Sequence, residues 1–156
     1  VPELIKLDEA LDGVLDAVVD KLKAAVGPGT DLGNVRMVVR GDRSRPAPET
    51  PALWVRILTA IPSHERRTYA ETWQVDVIVL AIVKSDNPEE GYREATKLAA
   101  RARSEVLKDR SLGNRKYVQD VRSGNFEASG PGLQNESLFA STAVLQVHFV
   151  ILEQNP

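Results

Sequence analysis

The chain has two histidines, His64 and His148, and no cysteine. Composition therefore excludes thiolate metal sites, cysteine nucleophiles and disulfides. His64 stands beside Glu65 in a turn, and such a pair serves acid–base chemistry only when a substrate is held within reach. His148 lies in a strand-like run, where a lone histidine is more often packed or at an interface than reactive. Neither has a second ligand at a zinc spacing such as H-E-x-x-H. Gly27-Pro28-Gly29 closes a helical stretch instead of opening one. Gly130-Pro131-Gly132 lacks the Lys-Ser/Thr of a P-loop, so both read as turn chemistry, not as phosphate cradles. The expectation is a chain with no catalytic residue, no metal and no cofactor.

Charge is arranged more tellingly. Asp8, Asp12, Asp16 and Asp20 recur every fourth residue, within a region 1–31 of seven acids and three bases. Like charges at that spacing repel by a few tenths of a kcal/mol per pair. A calcium site on this stripe is disfavoured, because a helix makes its carboxylates diverge. Arg93, Lys97 and Arg101 repeat at the same spacing further on, and Arg36, Arg40, Arg43 and Arg45 cluster around a proline-rich stretch. Two readings fit these ridges. They are solvated faces, or they are complementary surfaces by which the acidic ridge of one subunit meets the basic ridge or loop of the next.

The elements that must position these residues follow from periodicity. At 156 residues and 42% hydrophobic, the chain has the size of one domain, 1–156, with a core of its own. The net charge of −2, from 20 basic and 22 acidic residues, argues against a dedicated nucleic-acid binder. No apolar run is long enough to span a bilayer. The opening VPELIKLDEALDGVLD places acids where a signal peptide carries bases, so a cytoplasm-like compartment is expected.

Leu4, Leu7, Leu11, Leu15, Val18, Leu22 and Val26 predict an amphipathic helix over about Glu3–Val26. A strand Asn34–Arg40 follows, then a loop about 41–51 with three prolines. Strands Ala52–Ala60 and Arg67–Val83 come next, the second an alternating run far longer than the usual five or six residues. That length suggests a strand projecting past the domain body. Trp54 and Trp73, on these two strands, are placed to face one another across the sheet. Asp86-Asn87-Pro88-Glu89-Glu90, with Asp86 or Asn87 as cap, starts a helix to about Asp109, with Tyr92, Ala95, Leu98, Ala99, Ala102 and Val106 on its buried face. Strand Lys116–Arg122, a Gly/Ser-rich loop about 123–137 and a long strand Leu138–Glu153 complete the order α-β-β-β-α-β-β. The expected class is α+β. The three strands before the second helix would form a meander and the last two a hairpin, giving a mainly antiparallel sheet with both helices on one face.

In this order the chain resembles the lambda-like tail terminator (tail completion) proteins of long-tailed bacteriophages. The elements that carry the likeness are the acidic first helix, the strand ALWVRIL and the adjacent arginines of Glu65-Arg66-Arg67. The alternating strand with Tyr69 and Trp73, the helix EEGYREATKLAARARSEVL and the long last strand continue it. The resemblance implies a virion subunit at the neck, assembled in the host cytoplasm, that forms a homohexameric ring. Such a ring caps the tail tube, ends tail polymerisation and offers a docking surface to the head connector or stopper. DNA passes through its lumen without sequence recognition, and no enzyme activity is implied. A head-completion or stopper protein shares much of this likeness. From another class, a cytoplasmic domain enclosing a small-molecule pocket between sheet and helices is the competing reading.

Overall fold

A computed structural model of the chain describes residues 6–30, 32–41, 50–62, 70–113, 117–127 and 138–152. Seven elements follow in order: α1 (Leu7–Ala24), β1 (Met37–Arg40), β2 (Ala52–Pro62), β3 (Ala70–Lys84), α2 (Pro88–Leu107), β4 (Val118–Glu127) and β5 (Leu138–Leu152). The order and the α+β class match the expectation. The strands form one sheet, ordered β1-β2-β3-β5-β4, in which every pairing but one is antiparallel. The exception corrects the expected meander: β1 pairs with β2 in parallel, Met37 beside Ala52 and Arg40 beside Val55. Alternation predicts that a strand exists and which residues share a face, but it carries no information on strand direction.

The two long strands are long because they answer each other. Strand β3 pairs with β5 from Ala70↔Leu152 to Lys84↔Leu138 without a register shift. Among the described residues every position of β3 has a partner on β5, so its length is matched by its neighbour; Arg67 to Tyr69, expected in the strand, lie outside the described residues. Along β3 the odd positions Val75, Val77, Val79, Ala81 and Val83 face the helices and join the main core. The opposite face carries Gln74 and Asp76, half-buried, then the buried Ile78 and Ile82. The run is thus partly solvated at its start and enclosed at its end, as its composition predicts.

Helix α2 begins as its sequence dictates. The Asn87 side-chain oxygen accepts from the Glu89 N–H at 3.1 Å and the Glu90 N–H at 3.5 Å, and Pro88 follows where its missing donor costs nothing. Its buried face is Gly91, Ala95, Leu98, Ala99, Ala102 and Val106; Tyr92, expected there, is instead 39% exposed. Small residues let α2 lie close to β5 and β3, and a tyrosine on that face would hold it off. Helix α1 buries Ala10, Val14, Leu15, Ala17, Val18, Val19 and Leu22. Leu7 and Leu11 only flank the core.

After α2 the chain turns through Leu112 and Gly113, both at positive φ (51° and 77°). Leucine seldom adopts that conformation; here its side chain is fully buried, which holds it there. The turn is organised by the Asp109 carboxylate. It accepts from Ser111 Oγ at 2.5 Å, the Ser111 amide at 3.0 Å and the Gly113 amide at 2.8 Å, and pairs with Lys21 of α1 at 2.9 Å. The bond from Ser111 Oγ, followed by that from Lys21, holds this carboxyl well below the usual carboxylate range. A depressed carboxylate stabilises the fold above its unfolded value, near pH 4, and that contribution disappears as pH falls through the folded value. Asp109→Asn is therefore expected to flatten the loss of stability on acidification. Urea midpoints at pH 7 and pH 3 measure this: the gap between them should be smaller in the variant than in wild type.

Candidate assembly surfaces

Both helices pack on one face of the sheet, α1 over β1 and β2, α2 over β3, β5 and β4. Among the described residues the other face carries no helix, yet Ile78 and Ile82 on it are buried. Its side chains include Trp54 and Arg56 of β2, Gln74, Asp76, Ile78 and Leu80 of β3, and Val144, Gln146 and His148 of β5. A shallow concavity of about 380 Å³ runs across it, lined by Arg56, Leu58, Asp76, Ile78, Leu80 and residues of β4 and β5. The two tryptophans do not meet. Trp54 lies on this bare face opposite Leu80, while Trp73 lies on the helix face opposite Phe149. His148 is half-buried on the bare face between Gln74 and Asp120, its Nε2 buried and without a hydrogen-bond partner among the described residues. His64 lies outside the described residues.

The acidic ridge is not the unpaired stripe that its spacing suggests. Arg40, the last residue of β1, reaches across to α1 and pairs through its two terminal nitrogens with Asp12 and Asp16. The hydrogen bond to Asp12, aided by the charges of Asp16 and Asp12, raises the Arg40 pKa further. Partners 24 and 28 residues apart in sequence are thus brought together. The ion pair attaches the short edge strand to the helix, and two carboxylates that would repel share one counter-charge. Asp8 and Asp20 are exposed on the same helix. At 40–60% exposure each of these pairs is screened by solvent and worth at most about 1 kcal/mol. Reversing Asp12 and Asp16 to lysine is accordingly expected to act first within the subunit. Hydrogen exchange at the β1 amides should accelerate while the β3 and β5 amides keep their protection.

The basic ridge is also partly answered from within. Arg93 sits 3.6 Å from Glu89 one turn back, and Lys108 sits 2.6 Å from Glu105. Lys97 and Arg101 are exposed on α2. Asp12 and Asp16 of the acidic ridge and Arg93 of the basic one thus meet opposite charge from their own chain. Arg36 is exposed before β1, whereas Arg43 and Arg45 lie outside the described residues, as does most of the two long loops.

Three arginines that the spacing argument missed gather at the opposite side of the sheet. Arg103 donates to Ser123 Oγ at 2.8 Å, and Arg110 donates to the Val121 carbonyl at 2.9 Å. Arg122 pairs with Asp120 at 2.9 Å and, in doing so, lowers that carboxyl's pKa. Their common location comes from the docking of α2 beside β4, which no local repeat encodes. Among the described residues no group of three or more histidine or acidic side chains is placed to hold a metal ion. No family model matches the chain, and no curated protein matches it.

Proposed function

We propose that this chain is a structural virion subunit of the tail-terminator kind. It forms a ring that caps the tail tube, ends tail polymerisation and presents a docking surface for the head connector, with DNA passing through the lumen. The supporting observation is the α-β-β-β-α-β-β order, on which the resemblance to terminators rests, in a subunit whose described helices both lie on one face of the sheet. The same proposal places the protein at the neck of the particle and assigns it no catalytic step.

A stopper at the neck would meet similar partners, and the two are separated by when tails go wrong. Particles lacking a terminator are expected to show tails of abnormal length that do not join heads, and purified protein added back should restore joining. Tails of normal length in its absence would contradict a terminator and favour the stopper. The reading as a small-molecule domain gains little from the space between sheet and helices, where side chains from both layers form one buried cluster.

A further inference from the structure

Strand β4 closes one side of the sheet and pairs only with β5. Three arginines reach it from different directions. Asp120 and Arg122 stand in register with His148 and Gln146, on the face opposite the described helices, whereas Ser123 stands with Leu145, on the helix face. Arg122 therefore lies on one side of the edge, and Arg103 of α2 reaches Ser123 on the other. Arg110 comes between them, bonded to the Val121 carbonyl at 2.9 Å and 3.9 Å from Asp120.

Each guanidinium is held by only part of its donor set. Arg103 and Arg122 bond through Nε, which leaves their terminal nitrogens without a hydrogen-bond partner among the described residues; Arg110 bonds through one terminal nitrogen. A head anchored in this way keeps its remaining donors in place and loses little more freedom on meeting an anion. Asp120 shows two of the heads converging on one anion, since its carboxylate takes the 2.9 Å bond from Arg122 with Arg110 close by. One carboxylate thus answers three cations, and positive charge is left over. The uncharged neighbours indicate what that charge meets. Gln119, Ser123 and Asn125 are exposed along β4, and amides and hydroxyls of this kind join arginine on sugar and phosphate. A protein interface has an apolar centre, whereas Phe126, the exposed large apolar side chain of β4, stands beyond these residues near the end of the strand.

We infer that Arg103, Arg110 and Arg122, with their polar neighbours on β4, form a contact surface for the sugar–phosphate backbone of duplex DNA that does not read its sequence. The inference rests on the ring reading above for its place: the α2–β4 edge of each subunit lines the lumen through which DNA passes. Contact by one subunit is weak and strongly salt-dependent, and a ring multiplies it without any new kind of bond.

The test follows fluorescence anisotropy of two labelled duplexes of unrelated sequence. They are titrated with wild type, Arg103→Gln, Arg110→Gln, Arg122→Gln and, as a control about 15 Å back along α2 from Arg103, Arg93→Gln. Both duplexes should bind wild type alike, with affinity falling about 10- to 40-fold between about 50 and 200 mM salt, as expected for two or three phosphates. Each edge variant should lower the slope of log affinity against log salt by about one, and Arg93→Gln should leave it unchanged. Circular dichroism checks the fold. Should a variant misfold, phenylglyoxal modification of wild type, read by mass spectrometry, maps the contact: DNA should shield Arg103, Arg110 and Arg122 and leave Arg36 and Arg93 reactive. No binding at about 50 mM salt would overturn the contact while leaving ring formation, measured separately by electron microscopy, as it stands. Binding that the edge variants do not weaken, edge arginines that stay reactive, or preference for one sequence would also overturn it. Polyglutamate held as tightly as DNA of equal charge would overturn it in favour of an acidic protein surface. Wild type that binds DNA through this edge yet never forms rings would support the contact and remove only its place in a lumen.

Discussion

Replacing Phe149 by alanine is expected to cost about 3–5 kcal/mol of folding stability, a large part of the roughly 5–15 kcal/mol available to a domain of this size. The ring is fully buried in β5, between Trp73 of β3 and Val118 of β4 in register. It meets Tyr117 edge to face, centroids 6.5 Å apart and planes at 86°. That geometry adds to simple burial. The backbone has little room to close the gap, because β5 is paired on both sides. Urea denaturation monitored by circular dichroism measures the effect. A loss below about 1 kcal/mol would mean that the centre of the sheet collapses onto small cavities more easily than tight packing allows.

The second large effect is expected at Gly91, where an added methyl should destabilise a helix that propensity says it should help. Alanine in a helix interior is worth roughly 0.5–1 kcal/mol over glycine. A Cβ at Gly91, however, would stand 2.3 Å from Cδ2 and 2.6 Å from Cε2 of Phe139. Phe139 is buried against the sheet, beside Val83, so its ring has no open space to enter. Overpacking of this kind costs about 1–3 kcal/mol and outweighs the propensity gain. Gly91→Ala should lower Tm by several degrees, since each kcal/mol shifts a domain of this length by about 2–4 °C. Ser104→Ala, exposed on the same helix, should leave Tm nearly unchanged. An unchanged or higher Tm for Gly91→Ala would show that α2 can lift off β5 at little cost.

These two residues mark how far the sequence could be read. The alternation in β3 and β5 separates two faces on each strand, and the set Val75 to Val83 and Phe139 to Ile151 is the one that turns to the helices. A period of two leaves only one way to face a core. The first helix was legible as a helix but was phased on its leucines. Its buried face takes in Ala10, Val14 and Ala17, because small residues let the helix approach the sheet. Tyr92 was misplaced for the same reason in reverse, and Gly91 beside it was the residue that packed. The strand β1 was legible, but its parallel pairing was not.

The surfaces were harder to read than the core. Every-fourth spacing found Asp8, Asp12, Asp16 and Asp20 on one helix, yet could not show that Arg40 would arrive from a strand 24 residues away. Nor could it find Arg103, Arg110 and Arg122, which share a flank only because α2 docks beside β4. Intra-chain ion pairs change what the ridges mean. Charge left over after internal pairing is what a neighbour would meet. A local repeat measures one element at a time, whereas an interface is assembled from several.

The proposed closure of this subunit into a ring at the end of a tail tube is tested most directly by imaging purified wild-type protein with and without uncapped tubes. Negative-stain electron microscopy, with mass photometry of the same samples, is expected to show closed rings with a central opening. They should occur free in solution or seated on tube tips, at a mass that is a whole multiple of 17.1 kDa. A population that stays at 17.1 kDa and leaves every tube tip bare would contradict the proposed ring.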